Sequence, residues 1–193
     1  MLYRLGRFLF RILFFTVFRL RVVGRENVPT DGPVVLCANH TSLLDPPLLG
    51  TPLKRKVHFM AKAELFDIPV FGTIISKVGA FPVKRGGVSK ESIRLAISML
   101  KEGSMMGIFP EGSRSNAGGM GKKGAVSLAF KSGASVVPVA IIGSYSMFKP
   151  MKIVYGKPMD LSEFAAASSE DLENATEAIM LRIRAIHQQH LAG

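Results

Sequence analysis

Tryptophan is absent from the chain, cysteine occurs once and tyrosine three times. A single thiol excludes an internal disulfide and fits a reducing compartment. That thiol, Cys37, sits inside an apolar run, where a free cysteine serves as a small core residue rather than a nucleophile. Without tryptophan, a surface that stacks nucleic-acid bases would depend on phenylalanine. Histidine is also scarce: His40, His58, His187 and His190 show no ligand spacing, so no metal site is expected. Acidic residues are outnumbered, 14 against 25 Lys and Arg, which leaves a formal charge of +11. Such a surplus points to a polyanionic partner, either nucleic acid or an anionic lipid surface. A mean hydropathy of +0.27 argues for lipid, and no nucleic-acid partner is expected.

The first 25 residues also lack a long charge-free run; their longest, Ile12 to Phe18, is seven residues. About 20 are needed to span a bilayer. Arginines interrupt the apolar region and no small-residue cleavage site follows, unlike a secretory signal. At about 100° per residue, Arg4, Arg7, Arg11 and Arg19 fall within a sector of about 120°, and the rest of the helix is apolar. The pattern predicts a helix over residues 1–19 lying in a membrane interface, with Phe and Leu in the acyl boundary and arginines at the phosphates. The alternative is a helix packed on the protein's own core. Phe8, Phe10, Phe14, Phe15 and Phe18 exceed the needs of one packing face.

Beyond it, apolar runs alternate with helical patterns. Strands are expected at Leu20–Val23, Val34–Ala38, Val57–Ala61, Ala80–Val83, Met105–Phe109, Val136–Ile142 and Ile153–Tyr155. Helices fit at Leu43–Gly50, Val70–Lys77, Ser89–Lys101 and Ala125–Lys131, with a last one after the capping signature Ser168-Ser-Glu-Asp171. The stripe Leu172, Ala175, Ile179, Ile183 and Ile186 reads as core packing. Residues 20–193 therefore form a single α/β domain with a mixed or mostly parallel sheet flanked by helices.

Four polar clusters follow strands, where ligands collect in open α/β sheets. The first is His40-Thr-Ser-Leu-Leu-Asp45. On an ideal helix, positions five apart are rotated by about 140° and the two side chains diverge. If His40 stays on the loop and the helix begins near Leu43, Asp45 can turn back to the imidazole, fix its tautomer and leave the other ring nitrogen as a base. Taken alone, the six residues are also compatible with a solvated histidine beside a first-turn aspartate. Next come Lys84 and Arg85, followed by two glycines, then Glu111-Gly-Ser-Arg114. Five glycines, from Gly112 to Gly124 inclusive, accompany Lys122 and Lys123. Glycines admit an anion to backbone N–H groups, and the arginine fork suits phosphate. Ser42 and Ser113 lack the surroundings of a nucleophile elbow.

The ordered blocks Asn39-His-Thr-Ser-Leu-Leu-Asp45, Gly79-Ala-Phe-Pro-Val-Lys-Arg85, Phe109-Pro-Glu-Gly-Ser-Arg-Ser115 and Val136-Val-Pro-Val-Ala-Ile141 resemble those of the glycerophospholipid acyltransferase family. Within it, the chain is most similar to the bacterial 1-acyl-sn-glycerol-3-phosphate acyltransferase type, over about residues 20 to 160. The resemblance implies that His40 and Asp45 are the catalytic pair. It implies that Arg85, Glu111, Gly112 and Arg114 shape the acyl-acceptor site, and that Pro138 serves donor binding or packing. His40 would then be general base on the sn-2 hydroxyl of lysophosphatidate, which attacks the thioester of an acyl donor and yields phosphatidate. Arg85 and Arg114, with Lys84, Lys122 and Lys123 nearby, would hold the acceptor's phosphate. Glu111 would hold the glycerol backbone or Arg114, and Ser113 replaces a common threonine with the hydroxyl kept. No cofactor is expected beyond the acyl-CoA or acyl carrier protein thioester. The implied location is the cytoplasmic face of the inner membrane, peripheral or monotopic. A non-catalytic protein that binds anionic membranes or nucleic acid is the competing reading, and it has no need of the His40–Asp45 pair.

Overall fold

Why the run at 34–38 carries no polar residue is answered by its place in the sheet. In the computed structural model, described for residues 2–83, 90–111, 123–164 and 168–191, strand β2 (Val34–Ala38) lies between parallel neighbours β5 (Met105–Ile108) and β6 (Ser135–Ile142). Both its faces are covered, so all five residues are buried. The other strands are β1 (Arg21–Val23), β3 (Val57–Lys62), β4 (Ala80–Val83) and β7 (Lys152–Tyr155). Their order is β1-β7-β6-β2-β5-β3-β4. β7 is antiparallel to β6 and carries β1 with it, giving the expected mostly parallel sheet a reversed edge.

Alternation sorts the strand side chains into two cores. Val34, Leu36 and Ala38 join Leu48 and Leu49 of α2 (Asp45–Gly50) together with Phe14 and Phe18 near the N-terminus. Val35 and Cys37 join α4 (Lys90–Lys101), α5 (Gly124–Ser132) and α6 (Ser169–Leu191) on the opposite face. α3 (Phe71–Lys77) packs beside the edge strand β4. Pro138 lies buried within β6. The capping signature closes reciprocally: Ser168 N–H donates to Asp171 Oδ2 at 3.0 Å, and Asp171 N–H to Ser168 Oγ at 3.0 Å.

The N-terminal segment differs in detail from the expected continuous helix. α1 (Leu2–Ile12) runs into a π-helical turn over Leu13–Val17. Arg19 lies beyond it with φ 45°, outside the arginine stripe. Nor does the segment lie clear of the domain. Phe14 is fully buried, Phe18 nearly so, and Phe10, Leu13 and Val17 pack against the same core. The Arg7 guanidinium donates to the carbonyls of Leu53 and Lys54 at 2.9 Å each, so this arginine ties the helix to the domain. Leu5, Phe8, Leu9, Ile12 and Phe15 face outward. Among the described residues no helix is long and apolar enough to cross a membrane.

The two ends of the strands are unlike. At the end where β2 and β5 begin, Arg55 donates to the carbonyls of Pro29, Asp31, Gly32 and Gly103, fastening the turns together. At the opposite end, β2 leads to α2 on one face and β5 toward α5 on the other. Such a divergence opens a crevice at the strand ends.

Candidate active site

The sequence Asp45-Pro46-Pro47 decides where α2 starts. Proline is tolerated only in the first helical turn, so the helix begins at Asp45, two residues later than Leu43. His40 is thereby left on the loop, and Asp45 turns back toward it. The His40 Nδ1 lies 2.8 Å from Asp45 Oδ2. Oδ2 also accepts the Thr41 and Ser42 N–H groups at 2.6 and 2.7 Å. A carboxylate so surrounded by donors is an acceptor, which puts hydrogen on Nδ1 and the lone pair on Nε2. Nε2 has no partner among the described residues, and the His40 side chain is 18% exposed while that of Asp45 is 0% exposed. Ser42 Oγ is engaged by the Leu44 N–H at 3.2 Å, which suits a turn rather than a nucleophile.

Burial is the largest influence on Asp45 and pushes its carboxyl up. Hydrogen bonds from His40, Tyr145 and the Ser42 and Thr41 amides together outweigh it, and the group is held below the ordinary carboxylate range. Tyr145 supplies the bond to the second oxygen, its hydroxyl donating to Oδ1 at 2.5 Å. Burial and the neighbouring Asp45 charge raise the phenol well above its ordinary value, so it remains a donor.

The loop itself is anchored at three points. The Asn39 amide group donates to the Ile141 carbonyl at 2.9 Å and accepts the Ile141 N–H at 2.7 Å, continuing the β2–β6 ladder through a side chain. The His40 N–H donates to Glu111 Oε2 at 3.0 Å. Phe109 stacks on the imidazole with ring centres 4.2 Å apart, and Phe59 stacks on Phe109 at 6.4 Å. Glycine at 107 makes room for this layer, since an added Cβ would meet the Phe59 ring at 2.2 Å.

Of the residues expected at the site, the structure brings together His40, Asp45 and Glu111. Glu111 is buried and fixes the His40 backbone, a contact the sequence reading did not foresee. Lys123 is placed elsewhere: its ammonium donates to Ser169 Oγ at 2.6 Å and pairs with Glu173, both on α6. Lys84, Arg85, Gly112, Ser113, Arg114 and Lys122 lie outside the described residues. Tyr145, Asn39 and Phe109 were missed as site residues. A usable signal existed for Tyr145, which follows the end of β6 by three residues, at the same end of the parallel strands as His40.

Known proteins resemble this chain over most of its length. The sequence model of the acyltransferase family matches residues 19–142. A 1-acyl-sn-glycerol-3-phosphate acyltransferase of Bacillus subtilis (strain 168) is 37% identical over 177 residues, covering 88% of this chain and 89% of that protein. A chloroplastic 1-acyl-sn-glycerol-3-phosphate acyltransferase of Arabidopsis thaliana is 35% identical over 69% of this chain, which spans 38% of the plant protein. Among solved structures, the 1-acyl-sn-glycerophosphate (LPA) acyltransferase of Thermotoga maritima superposes with a TM-score of 0.72 at 30% identity, over 96% of this chain and 78% of that one. With the family pattern running through the strands and loops that build the His40–Asp45 site, the chain belongs to the acyltransferase family.

Proposed function

We propose that this chain transfers a fatty acyl group from a thioester donor to the sn-2 hydroxyl of lysophosphatidate, forming phosphatidate for phospholipid synthesis. The observation that carries the reading is His40, its Nδ1 held by a buried carboxylate and its Nε2 without a partner among the described residues. This pair belongs to a chain that matches the Bacillus enzyme over 89% of that enzyme's length. Nε2 takes the hydroxyl proton as the oxygen attacks the thioester carbonyl and a C–O bond forms. The tetrahedral intermediate then expels sulfur, the C–S bond breaks, and the imidazolium returns its proton to the thiolate. Asp45 holds the ring and stabilises the transient imidazolium. The acceptor hydroxyl is itself the nucleophile, so no acyl-enzyme is required.

Substrate and product are lipids, and the outward apolar face of α1 supports action at a membrane surface. Leu5, Phe8, Leu9, Ile12 and Phe15 are between 41% and 58% exposed, beside the exposed Arg4 and Arg11. α1 touches α3, and Ile68 and Val70 just before α3, with Phe71 and Ile74 on it, extend the exposed apolar surface. Lys and Arg of α4, α5 and α6 are nearly matched by Asp and Glu of the same helices, so most of the positive surplus lies elsewhere. An apolar face bordered by cations suits an anionic bilayer, here the cytoplasmic leaflet. Arg85 and Arg114 are the forks we assign to the acceptor's phosphate. Acyl-CoA or acyl carrier protein supplies the thioester, and no further cofactor is invoked.

The test is a panel in which purified protein meets lysophosphatidate, lysophosphatidylglycerol and an ornithine-type lyso-amide, each with both donors. Preferred thiol release with lysophosphatidate and phosphatidate as product are expected. Preference for another lysolipid overturns the substrate, and no transfer with any pair overturns the reading.

A further inference from the structure

Beyond the four blocks that carry the family resemblance, one side chain reaches the catalytic pair from the segment after β6. The Tyr145 hydroxyl donates to Asp45 Oδ1 at 2.5 Å, while the His40 ring and the Thr41 and Ser42 amides all use Oδ2. Among the described residues, Oδ1 has besides Tyr145 only the Thr41 hydroxyl, at 3.5 Å, the limit of a useful bond. Without the phenol, a fully buried carboxylate oxygen would be left nearly unsatisfied, and rotation about Cβ–Cγ would misplace Oδ2.

The same residue touches the N-terminal segment. Its ring meets Phe18 edge-on, with centres 5.6 Å apart and planes at 84°. Phe18 in turn packs on Phe14 at 6.1 Å and Phe14 on Phe10 at 5.7 Å, an aromatic column along the inner side of α1. Backbone bonds join the two segments directly: the Phe148 N–H donates to the Val17 carbonyl at 2.7 Å, and the Met151 N–H to the Phe18 carbonyl at 3.1 Å. The exposed Phe148, at φ 61°, sits in this junction.

We propose that Tyr145 is a positioning residue for the acyl-transfer reaction: its hydroxyl orients Asp45 toward His40, and its ring, through Phe18, links that orientation to the seating of the N-terminal helix. The inference rests on the function proposed above, in which His40 is the base. A helix whose outer face meets lipid is thus bolted on its inner side to the group that aims the base.

Tyr145→Phe keeps the ring and its contact with Phe18 and removes only the hydroxyl. In the full chain, assayed on vesicle lysophosphatidate and on a short-chain soluble acceptor, kcat should fall about 10- to 100-fold on both, the worth of a hydrogen bond to a charged group. KM for acceptor and donor should stay within about twofold, because the hydroxyl touches neither. Phe18→Leu should also lower kcat, by less, and the double variant should fall short of the product of the two losses, since both act on one carboxylate. In an Asp45→Asn background, Tyr145→Phe should add almost nothing.

A kcat within twofold of wild type overturns the proposal. So does a loss carried by acceptor KM, which would put the hydroxyl on substrate, or full multiplicativity with Phe18→Leu, which would disconnect the helix. If Tyr145→Phe fails to fold, Phe18→Leu measured with and without Asp45→Asn decides alone: equal fractional losses in the two backgrounds overturn it. His40→Ala in the same assay separates the two levels, because its retention of activity would sink the base assignment, whereas an inactive His40→Ala beside an unimpaired Tyr145→Phe sinks only the relay.

Discussion

α1 and α6 are both amphipathic in sequence, yet they meet their surroundings differently. In α6, Ala175, Ile179, Met180, Ile183 and Ile186 form one stripe, each 5% exposed or less, against the sheet. In α1 and its following turn, Phe14 and Phe18 enter the core while Leu5, Phe8, Leu9 and Ile12 remain 47% to 58% exposed. A helix with one apolar stripe needs one partner; a helix apolar on two sides needs two. The domain is the first partner of α1, and a bilayer is the second under the function proposed above.

Substitutions on the buried sides should make the two helices look alike. Phe14→Ala should cost about 3–5 kcal/mol and Ile183→Ala about 2–5 kcal/mol in chemical denaturation, as transfer and cavity terms combine. The outer sides should then separate them. Leu9→Ser should leave stability within about 0.5 kcal/mol but weaken sedimentation with anionic vesicles, while Leu181→Ser on α6 should affect neither. Loss of stability in Leu9→Ser, with vesicle binding intact, would break the comparison.

The arginines sharpen it further. Arg4→Glu and Arg11→Glu should each weaken vesicle binding by about 1 kcal/mol or more, as expected of basic residues near an anionic surface. Arg7, bonded to the Leu53 and Lys54 carbonyls, should act differently. Arg7→Ala should lower the melting temperature, by about the worth of one or two hydrogen bonds, and change binding less than Arg11→Glu does.

The smallest effects are in pH. Asp45 is held below the ordinary carboxylate range, so the unfolded chain takes up its proton first as pH falls. Its stabilisation is therefore complete at neutral pH and drains away in the acid range, and the acid limb of stability should be steeper in wild type than in Asp45→Asn. His58 is shifted down by burial and then by Lys56. The unfolded chain therefore takes up this proton first, and stability should soften as pH drops below the ordinary histidine value of 6.5. His58→Gln should blunt that softening.

The strands were legible because an apolar run bounded by turn residues has few other homes. Val34–Ala38 and Ala80–Val83 appear with the expected bounds. The His40–Asp45 contact was legible as a possibility, and Pro46-Pro47 explains why it is realised, by forbidding any earlier helical start. What could not be read was long-range: Tyr145 reaches Asp45 across 100 positions, and Glu111 reaches the His40 backbone across 71. Nothing local encodes either bond. Lys123 shows the converse, a cation in a glycine-rich stretch whose charge is met by Glu173 of α6. The inner face of α1 escaped for a similar reason, since five phenylalanines state how much apolar surface exists and not how it is divided.

The most direct measurement is the turnover of lysophosphatidate by His40→Ala and Asp45→Asn, each checked for a wild-type fold and vesicle binding. General-base removal typically costs about 10²–10⁴-fold, and the amide at 45 can hold the imidazole in the wrong tautomer. Losses of that order in kcat, with both proteins folded and still bound to vesicles, are the result expected. Near-normal turnover by either variant would contradict the account.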